Sequence, residues 1–574
     1  MKGTEFLLRS LVADGVRHLF LVPGGLVDPF LPALETVREL RPIVAAHEGG
    51  AAFMADGYAR ARGSFGVALV IGGPGLGNAV TAMVSADTDS VPLLVISGEV
   101  ANWMEGLGSF QDASAGTIDD VSLVRSVSRW SYSVPDVRLL HHAYERALKT
   151  LFDLPGGPVH LSVPEDVQEG EVTVEVRAEP TAFLRQELLD IEAAKSWLAG
   201  VGIAPARTVL LAGPGAHQGQ AAESLRQAAE RWALPVASTL QAKGALPEDH
   251  PLSLGIFGYA GTRHATVALL QSDAGLAADL VVSLGAGMNE RDSMHWSSRL
   301  APSCGFVEVS SSSVRMGALP DRSTPVLGHA DAFLRWLLAS SEAESALRPG
   351  IAERRAWLEQ IRASGTRLYE PETTASDAVP LHPARVIAEV RRLLPASTVA
   401  LCDSGAHRAF ACHYWEAVAP GTYFSAAGMG PMGWAIPAAV GTSLAMPDRI
   451  HVVFTGDGCM RMHGLEIATA ARYRLPILYV VLNNAALGNV WLRAHSKGEI
   501  PDELTRLPDH DWAGVATGLG LAAASVRRPE EIAPALERIL GTPGPWLLDA
   551  KCDRAYPTPI DPWREAIASW SYHE

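Results

Sequence analysis

The sequence predicts an α/β protein built of three doubly wound parallel sheets, and three observations carry that expectation. Short apolar runs that end in glycine alternate with helical patterns along the whole chain, the signature of strands that enter tight turns and return through helices. The 574 residues exceed what one hydrophobic core organises, at roughly 100–200 residues per domain. The 53 glycines and 38 prolines follow no repeat, as punctuation between strands and helices does.

The chain opens on MKGTEFLLRSLVADGV, where Glu5, Arg9 and Asp14 interrupt the apolar positions. It reads as an amphipathic helix and not as a signal peptide. HLFLVPGG, GVALVIGG and VPLLVISG read as buried strands, and the stretch from Glu48 to Arg62 as a helix between them. The pattern recurs in TVLLAGPG, LPVAST, DLVVSLGAG and GFVEVSS, and again in TVALCDSG, RIHVVFTGDG, LPILYVVLNN and PWLLDAKCD. Three blocks result, 1–170, 185–345 and 380–560. Residues 171–190 and 342–382, the second a charged helix followed by YEPETTASDAVPLH, have the Pro, Ser, Thr and Glu content of surface connections.

Composition excludes several classes. Apolar residues make up 48% and charged residues 19%, so the chain can bury large cores and is not disordered. Lys plus Arg is 47 against 63 for Asp plus Glu, a net charge of −16, which argues against a nucleic-acid binder with a basic face. The five cysteines form no CxxC pair; a scattered, odd set suits a reducing cytoplasm better than a disulfide framework. No run reaches the roughly 18 apolar residues of a membrane span. The expectation is a large, acidic, cytoplasmic protein.

The third block holds the sharpest chemical signal. A strand (RIHVVFT) enters Gly456-Asp457-Gly458, a helical stretch follows, and a second strand (LPILYVVL) ends in Asn483-Asn484. From Asp457 to Asn484 is 27 positions, one βαβ crossover, which brings both strand ends to the same carboxyl edge. An Asp carboxylate and an Asn amide oxygen there are hard ligands suited to Mg²⁺ or Ca²⁺. The glycines let a phosphate approach the backbone, and the helix N-terminus favours the anion. Either motif alone is an ordinary turn or cap; their pairing at two strand ends points to function.

GDGCMRMHGLEIATAARYRLPILYVVLNN resembles the cofactor motif of the thiamine-diphosphate enzyme family that includes acetolactate synthase, benzaldehyde lyase and pyruvate decarboxylase. The resemblance covers nearly the whole chain. It implies the family's three-domain fold, with aminopyrimidine-binding, central and diphosphate-binding domains. It also implies that Asp457, Asn484 and the carbonyl of Ala486 hold Mg²⁺ against the cofactor diphosphate. Ala46-His47-Glu48-Gly49-Gly50 is similar to the family's RHE segment, with Ala46 in place of Arg. It implies that Glu48 meets N1′ of the aminopyrimidine and promotes loss of the C2 proton, work that a general acid–base carboxyl performs.

Other segments follow in family order. Val22-Pro23-Gly24-Gly25 resembles the first Gly-rich turn, and Gly72-Gly73-Pro74-Gly75-Leu76-Gly77-Asn78 the turn beside the aminopyrimidine. The resemblance thereby implies cofactor contacts from Gly24, Gly25, Gly75 and Asn78. Phe110-Gln111-Asp112 is similar to an FQE segment whose Gln, here Gln111, reaches the substrate. Asp403-Ser404-Gly405-Ala406-His407 resembles DVGQH near the diphosphate, and Gly428-Met429-Gly430-Pro431-Met432-Gly433 resembles GLGTMG. These imply cofactor contacts from Ala406, His407, Gly430, Gly456 and Gly458, and assign Met432, flexible and polarisable, to bending the cofactor.

The middle block is less definite. Gly213-Pro214-Gly215 with Gly219 is a weak dinucleotide pattern, and no acid follows at the next strand end. STLQAKGALPEDHPLSLGIFGYAGT resembles the segment that binds FAD in acetolactate synthase, so FAD is an alternative ligand there. Gly287 stands where that enzyme has Arg, and Ser310 and Ser312 where it has Asp; these departures count against the flavin. Glu165 replaces a Lys near the substrate channel, removing an attraction for a small anionic acceptor. The His-His pair of pyruvate decarboxylases is missing, since His141-His142 falls later on a helix, and Gly24-Gly25 stands where benzaldehyde lyase has a catalytic His.

The reading is therefore an acetolactate synthase-like enzyme that decarboxylates a 2-oxo acid and joins the product to a second carbonyl compound. One alternative is C–C lyase or hydrolase action on a ketone, acyloin or dione. Another, of a different class, is a non-catalytic cofactor-binding subunit. The resemblance implies a homodimer or homotetramer with Glu48 of one subunit serving the metal site of another. Neither nucleic acid nor membrane is expected as a partner.

Overall fold

A computed structural model describes residues 1–178, 187–217, 219–317, 323–496, 498, 500–560 and 563. The expected connection at 171–190 therefore lies partly outside the described residues. The first sheet contains β1 (His18–Leu21), β2 (Arg41–Val44), β3 (Gly66–Ile71), β4 (Leu93–Glu99), β5 (Trp130–Ser133) and β6 (Pro158–Pro164). The second contains β7 (Thr208–Ala212), β8 (Val236–Ser238), β9 (Ser253–Ile256), β10 (Leu280–Leu284), β11 (Gly305–Ser310) and β12 (Ser323–Leu327). The third contains β13 (Val399–Cys402), β14 (Tyr423–Phe424), β15 (His451–Gly456), β16 (Ile477–Asn483), β17 (Ala522–Val526) and β18 (Trp546–Lys551).

Every ladder is parallel, with pairings such as Gly456 with Leu482 and Val70 with Ser97. The first sheet runs β2-β1-β3-β4-β6-β5 and the third β14-β13-β15-β16-β18-β17, one order repeated. The middle sheet runs β12-β11-β10-β7-β8-β9, the doubly wound order of dinucleotide-binding folds. Among the described residues no helix is long and apolar enough to cross a membrane.

Burial alternates along the strands and sorts each sheet into two faces. In the first sheet Leu19, Leu21, Val67 and Leu69 pack with the helices Gly3–Ala13 and Leu140–Phe152. The intervening residues Phe20, Ala68 and Val70 join Val453, Tyr479 and Val481 of the third sheet in one continuous cluster. The first and third sheets thus share a core, whereas the middle sheet fills its own two faces.

Two helices close the shared core. Glu48–Arg62 starts on His47, whose Nδ1 accepts from the Gly49 N–H, and ends on left-handed Gly63, the N-cap and C-cap chemistry that fixes helix ends. It crosses Ala435–Ala445, which is buried on every side except at Ala445. The crossing is backbone on backbone: a Cβ on Gly57 would lie 2.3 Å from the Ala438 carbonyl oxygen, and one on Gly441 1.9 Å from that of Met54. Beside it Arg60 bridges Asp56 and Asp89, each at 2.9 Å, and the indole N–H of Trp434 donates to Asp56 at 2.6 Å. Asp89 also accepts from the Gly428 N–H at 2.9 Å, so the buried ion group holds the 428–433 turn.

Two expectations change. The helical stretch after Gly458 is broken into Asp457–His463, a short 3-10 turn at Gly464–Glu466, and Ile467–Tyr473, because Glu466 turns towards the first block. The stretch 342–382 is more than a surface connection: helix Ile351–Ala363 buries Trp357, Leu358 and Ile361 against the middle sheet. Gly441→Val should lower the thermal midpoint clearly, since overpacking here costs about 1–3 kcal/mol or more; an unchanged midpoint in a calorimetric scan would contradict the close crossing.

Candidate active site

The diphosphate half of the site forms where β15 and β16 end side by side. Asp457 is 3% exposed and opens the helix Asp457–His463. The Ala486 N–H donates to Asp457 Oδ2 at 3.1 Å and to Asn484 Oδ1 at 3.2 Å, so the three residues expected at the metal are brought together. Asn483 instead anchors the turn, donating from Nδ2 to Asp549 at 3.0 Å. Ala485 between them sits at φ +51°, an unusual left-handed position for a non-glycine residue and a frequent mark of functional turns.

Three helices, Ala406–Tyr414, Asp457–His463 and Gly488–His495, begin at this edge. Ala406, Gly456, Asp457, Gly458, Asn484, Ala486 and Gly488 line a cavity of about 270 Å³. Helix N-termini offer unpaired N–H groups and partial positive charge, an anion cradle. Burial pushes the Asp457 carboxyl up to about 7, with the Asp549 charge adding a smaller push; a cation would relieve that penalty. Among the described residues no three His, Cys, Asp or Glu side chains converge as metal ligands. The expected donors, one carboxylate, one amide and one main-chain carbonyl, would fit a hard divalent ion and not zinc.

The walls are set by groups the sequence analysis placed only in part. His407 is buried and lies under Gly456, where a Cβ would meet its Nδ1 at 2.8 Å; burial lowers it to about 3, so the ring is neutral. Asp403, quoted in the motif but given no task, accepts from the N–H groups of Ser404 at 2.9 Å and Gly433 at 2.8 Å and from the Thr455 hydroxyl at 3.0 Å. It thereby pins the turn that carries Met432. A Cβ on Gly458 would stand 3.1 Å from the Met432 Cε, so glycine leaves room for that side chain. Gly430 is left-handed at φ +62° beside Arg408, whose guanidinium donates to the Ala426 carbonyl at 3.1 Å and the Ser404 hydroxyl at 2.6 Å. Tyr259 and Arg291 of the middle block also line the cavity.

The first block assembles the other half. Half-buried Glu48 accepts from Asn78 Nδ2 at 3.0 Å, and a Cβ on Gly75 would lie 3.6 Å from its Cγ. Gly24 packs on Ile71 at the end of β3, while Gly25 is open to solvent. Gln111 holds φ +59° in an exposed loop. The residue that sequence reasoning missed is Glu466, 1% exposed. It accepts the N–H groups of Ala46 and His47, both at 3.1 Å, and fixes the turn leading into Glu48. An acid inside an alanine-rich helical stretch was the available signal.

Gly24, Gly25, Glu48, Gly75, Asn78 and Gln111 do not line the diphosphate cavity of the same chain. Large apolar side chains stand exposed near each half: Trp103, Leu107 and Phe110 in the first block, and Met429, Met462 and Leu465 in the third.

Three segments of the chain match known domain families. Residues 1–123 match the thiamine pyrophosphate enzyme N-terminal TPP-binding domain, 204–337 the central domain and 403–550 the C-terminal TPP-binding domain. The chain is 30% identical to the acetolactate synthase isozyme 3 large subunit of Escherichia coli (strain K12), over 94% of this chain and 92% of that one. It is equally identical, at 30%, to the acetolactate synthase large subunit of Corynebacterium glutamicum, over 94% of this chain and 84% of that one. A solved structure from Mycobacterium smegmatis that carries the name of a thiamin diphosphate-dependent enzyme superposes with a TM-score of 0.76 at 23% identity, covering 96% of this chain and 99% of that one. With both cofactor-binding domains and the central domain matched, the chain belongs to the thiamine pyrophosphate enzyme family.

Proposed function

We propose that the protein is an acetolactate synthase-like carboligase that uses thiamine diphosphate and Mg²⁺ to decarboxylate a 2-oxo acid and join the product to a second carbonyl compound. The observation that carries this reading is the convergence of Asp457, Asn484 and Ala486 on a cavity ringed by three helix N-termini. When bound, thiamine diphosphate supplies the electron sink for carbon–carbon bond breaking and making. Asp457, Asn484 and the Ala486 carbonyl would hold Mg²⁺, and the N–H groups at Ala406, His407, Gly456 and Gly458 would receive the diphosphate. Met432 would give the cofactor an apolar wall. Glu48 would exchange a proton with the aminopyrimidine nitrogen, and Gln111 would donate to the substrate.

The first-block residues do not line the third-block cavity of their own chain, and a second copy completes each site. The exposed Trp103, Leu107 and Phe110 and the exposed Met429, Met462 and Leu465 give the apolar area such a contact buries. We assign the domains to 1–170, 185–345 and 380–560, each holding one sheet. The middle block enters this reading with no step assigned to FAD, and Gly287, Ser310 and Ser312, which stand where the flavin-binding relative has Arg and Asp, count against it.

Glu48→Gln should keep cofactor affinity, read by isothermal titration, while turnover falls by about a hundredfold or more, the range general acid–base catalysis supplies. Near-normal turnover would sink the mechanism. Asp457→Asn should instead weaken thiamine diphosphate binding and its dependence on Mg²⁺, seen as a flattened titration with added metal. A panel of pyruvate, acyloins and cyclic diones, followed for CO₂ release, separates carboligation from lyase or hydrolase action. Absence of turnover with every donor, alongside tight cofactor binding, would favour the non-catalytic subunit.

A further inference from the structure

The loop that carries Gln111 is held down by acids that the reaction does not use. Glu99, the last residue of β4, is 2% exposed. Its Oε1 accepts from the N–H groups of Val100 at 2.9 Å and Ala113 at 3.1 Å, but its Oε2 is buried with no partner. Asp120, also 2% exposed, accepts the Gly73 N–H at 3.1 and 3.2 Å. Its own N–H donates to the Ala113 carbonyl at 2.9 Å. A Cβ on Gly72 would lie 3.1 Å from Asp120 Oδ2 and 3.3 Å from Glu99 Oε2, so the unpartnered Glu99 oxygen and the Asp120 oxygen that accepts from Gly73 crowd over one glycine.

Among the described residues no basic side chain bonds either carboxyl. Asp112, Glu105 and Asp119 stand nearby, and Arg125 reaches only the wall of an adjoining cavity of about 370 Å³. Asp112 is already engaged with the Gly106 N–H and with Ser114, and Asp119 with Ser122. Two unscreened carboxylates in this position repel strongly, whereas one proton between them turns repulsion into a hydrogen bond.

We propose that Glu99 and Asp120 are positioning residues that share one proton, which ties the Gln111 loop to the Gly72–Gly73 turn. Ala113 is bonded to both acids and Gly73 to Asp120, so a single proton sets the loop against the turn that leads to Gly75 and Asn78. The cavity gives it a way to solvent. Burial, with the Glu99 charge beside it, raises Asp120 to about 7, and burial raises Glu99 as well. Because these groups hold their proton more tightly in the closed loop than in an open one, closure is strongest in acid. It weakens as pH rises from the ordinary carboxylate range to about 7 and is level above that.

Hydrogen exchange of amides 100–120 in the cofactor-loaded full chain, corrected for intrinsic exchange and read from pH 5 to 8, tests this. Wild-type protection should fall about tenfold per pH unit and then flatten, as one linked proton requires. Glu99→Gln gives Asp120 a permanent amide donor and should show no slope, and Asp120→Asn, donating to Glu99, should show none either. A purely structural role would change the level of protection without removing the slope. A flat wild-type profile, or a slope retained in either folded variant, would overturn the proposal. The exchange readout is independent of turnover, so it stands or falls apart from the role given to Gln111 in the proposed function.

Discussion

The contact on which the site depends is the crossing of Glu48–Arg62 over Ala435–Ala445, sealed by the Glu466 carboxylate. Glycine at 57 and 441 brings two backbones together where any side chain would collide with a carbonyl oxygen. That approach places Glu466 against the Ala46 and His47 N–H groups, and Gly50 leaves it space, since a Cβ there would fall 1.9 Å from Oε1. Without it, two N–H groups at the entry to the helix lose their acceptor, at about 0.5–1.5 kcal/mol each, since Ala46 and His47 are exposed. The direction in which Glu48 leaves the first block is therefore decided by a residue of the third. The shared core explains why the same strand order occurs in both blocks: each sheet offers one face to the same helix pair.

Charge inside the site follows a different logic from charge on the whole chain. The net value of −16 describes the whole chain, whereas the cavity is lined by three helix N-termini together with Arg291, Arg408, Arg493 and Arg554. Helix-terminal dipoles and guanidinium charges together favour an anion there. Asp457 supplies the one carboxylate expected to hold metal, and its raised affinity for protons shows how dry the notch is. His407 obeys the same rule with opposite sign: burial keeps it neutral, so it adds bulk beneath Gly456 and no charge.

How much of this was legible in the sequence depends on how local each feature is. The helix Glu48–Arg62 and the strands ending at Gly456 and Asn483 were readable because apolar patterning, caps and glycines sit within one segment. β2, β5, β14 and β17 carry no such mark: they are short, partly exposed or alanine-rich edge strands defined by their neighbours. β6 is wholly buried but contains His160, a residue that reads as polar. Its ring is satisfied on both sides, by Ser97 and Ser131 at 2.8 Å each, a pairing across three strands that no single segment reveals. Glu466 and Asp403 escaped for the same reason, since their tasks are to hold main-chain groups brought near by folding. The left-handed conformation of Gln111 was likewise invisible, because nothing in Phe110-Gln111-Asp112 demands it.

The middle block shows how topology and task can separate. Its strand order is that of a dinucleotide-binding sheet, and the turns after β7 and β10 pack closely, Gly213 and Gly215 against Gly285 and Ala286. What the block gives the site comes from loops beyond β9 and β10. Tyr259 and Arg291 stack at 5.0 Å and both face the diphosphate cavity. The Nη1 of Arg291 is buried without a hydrogen-bond partner, a costly state for a guanidinium, and burial with the Arg408 charge lowers its affinity for its proton. The middle block thus sets a buried cation against a cavity whose walls come mainly from the third block.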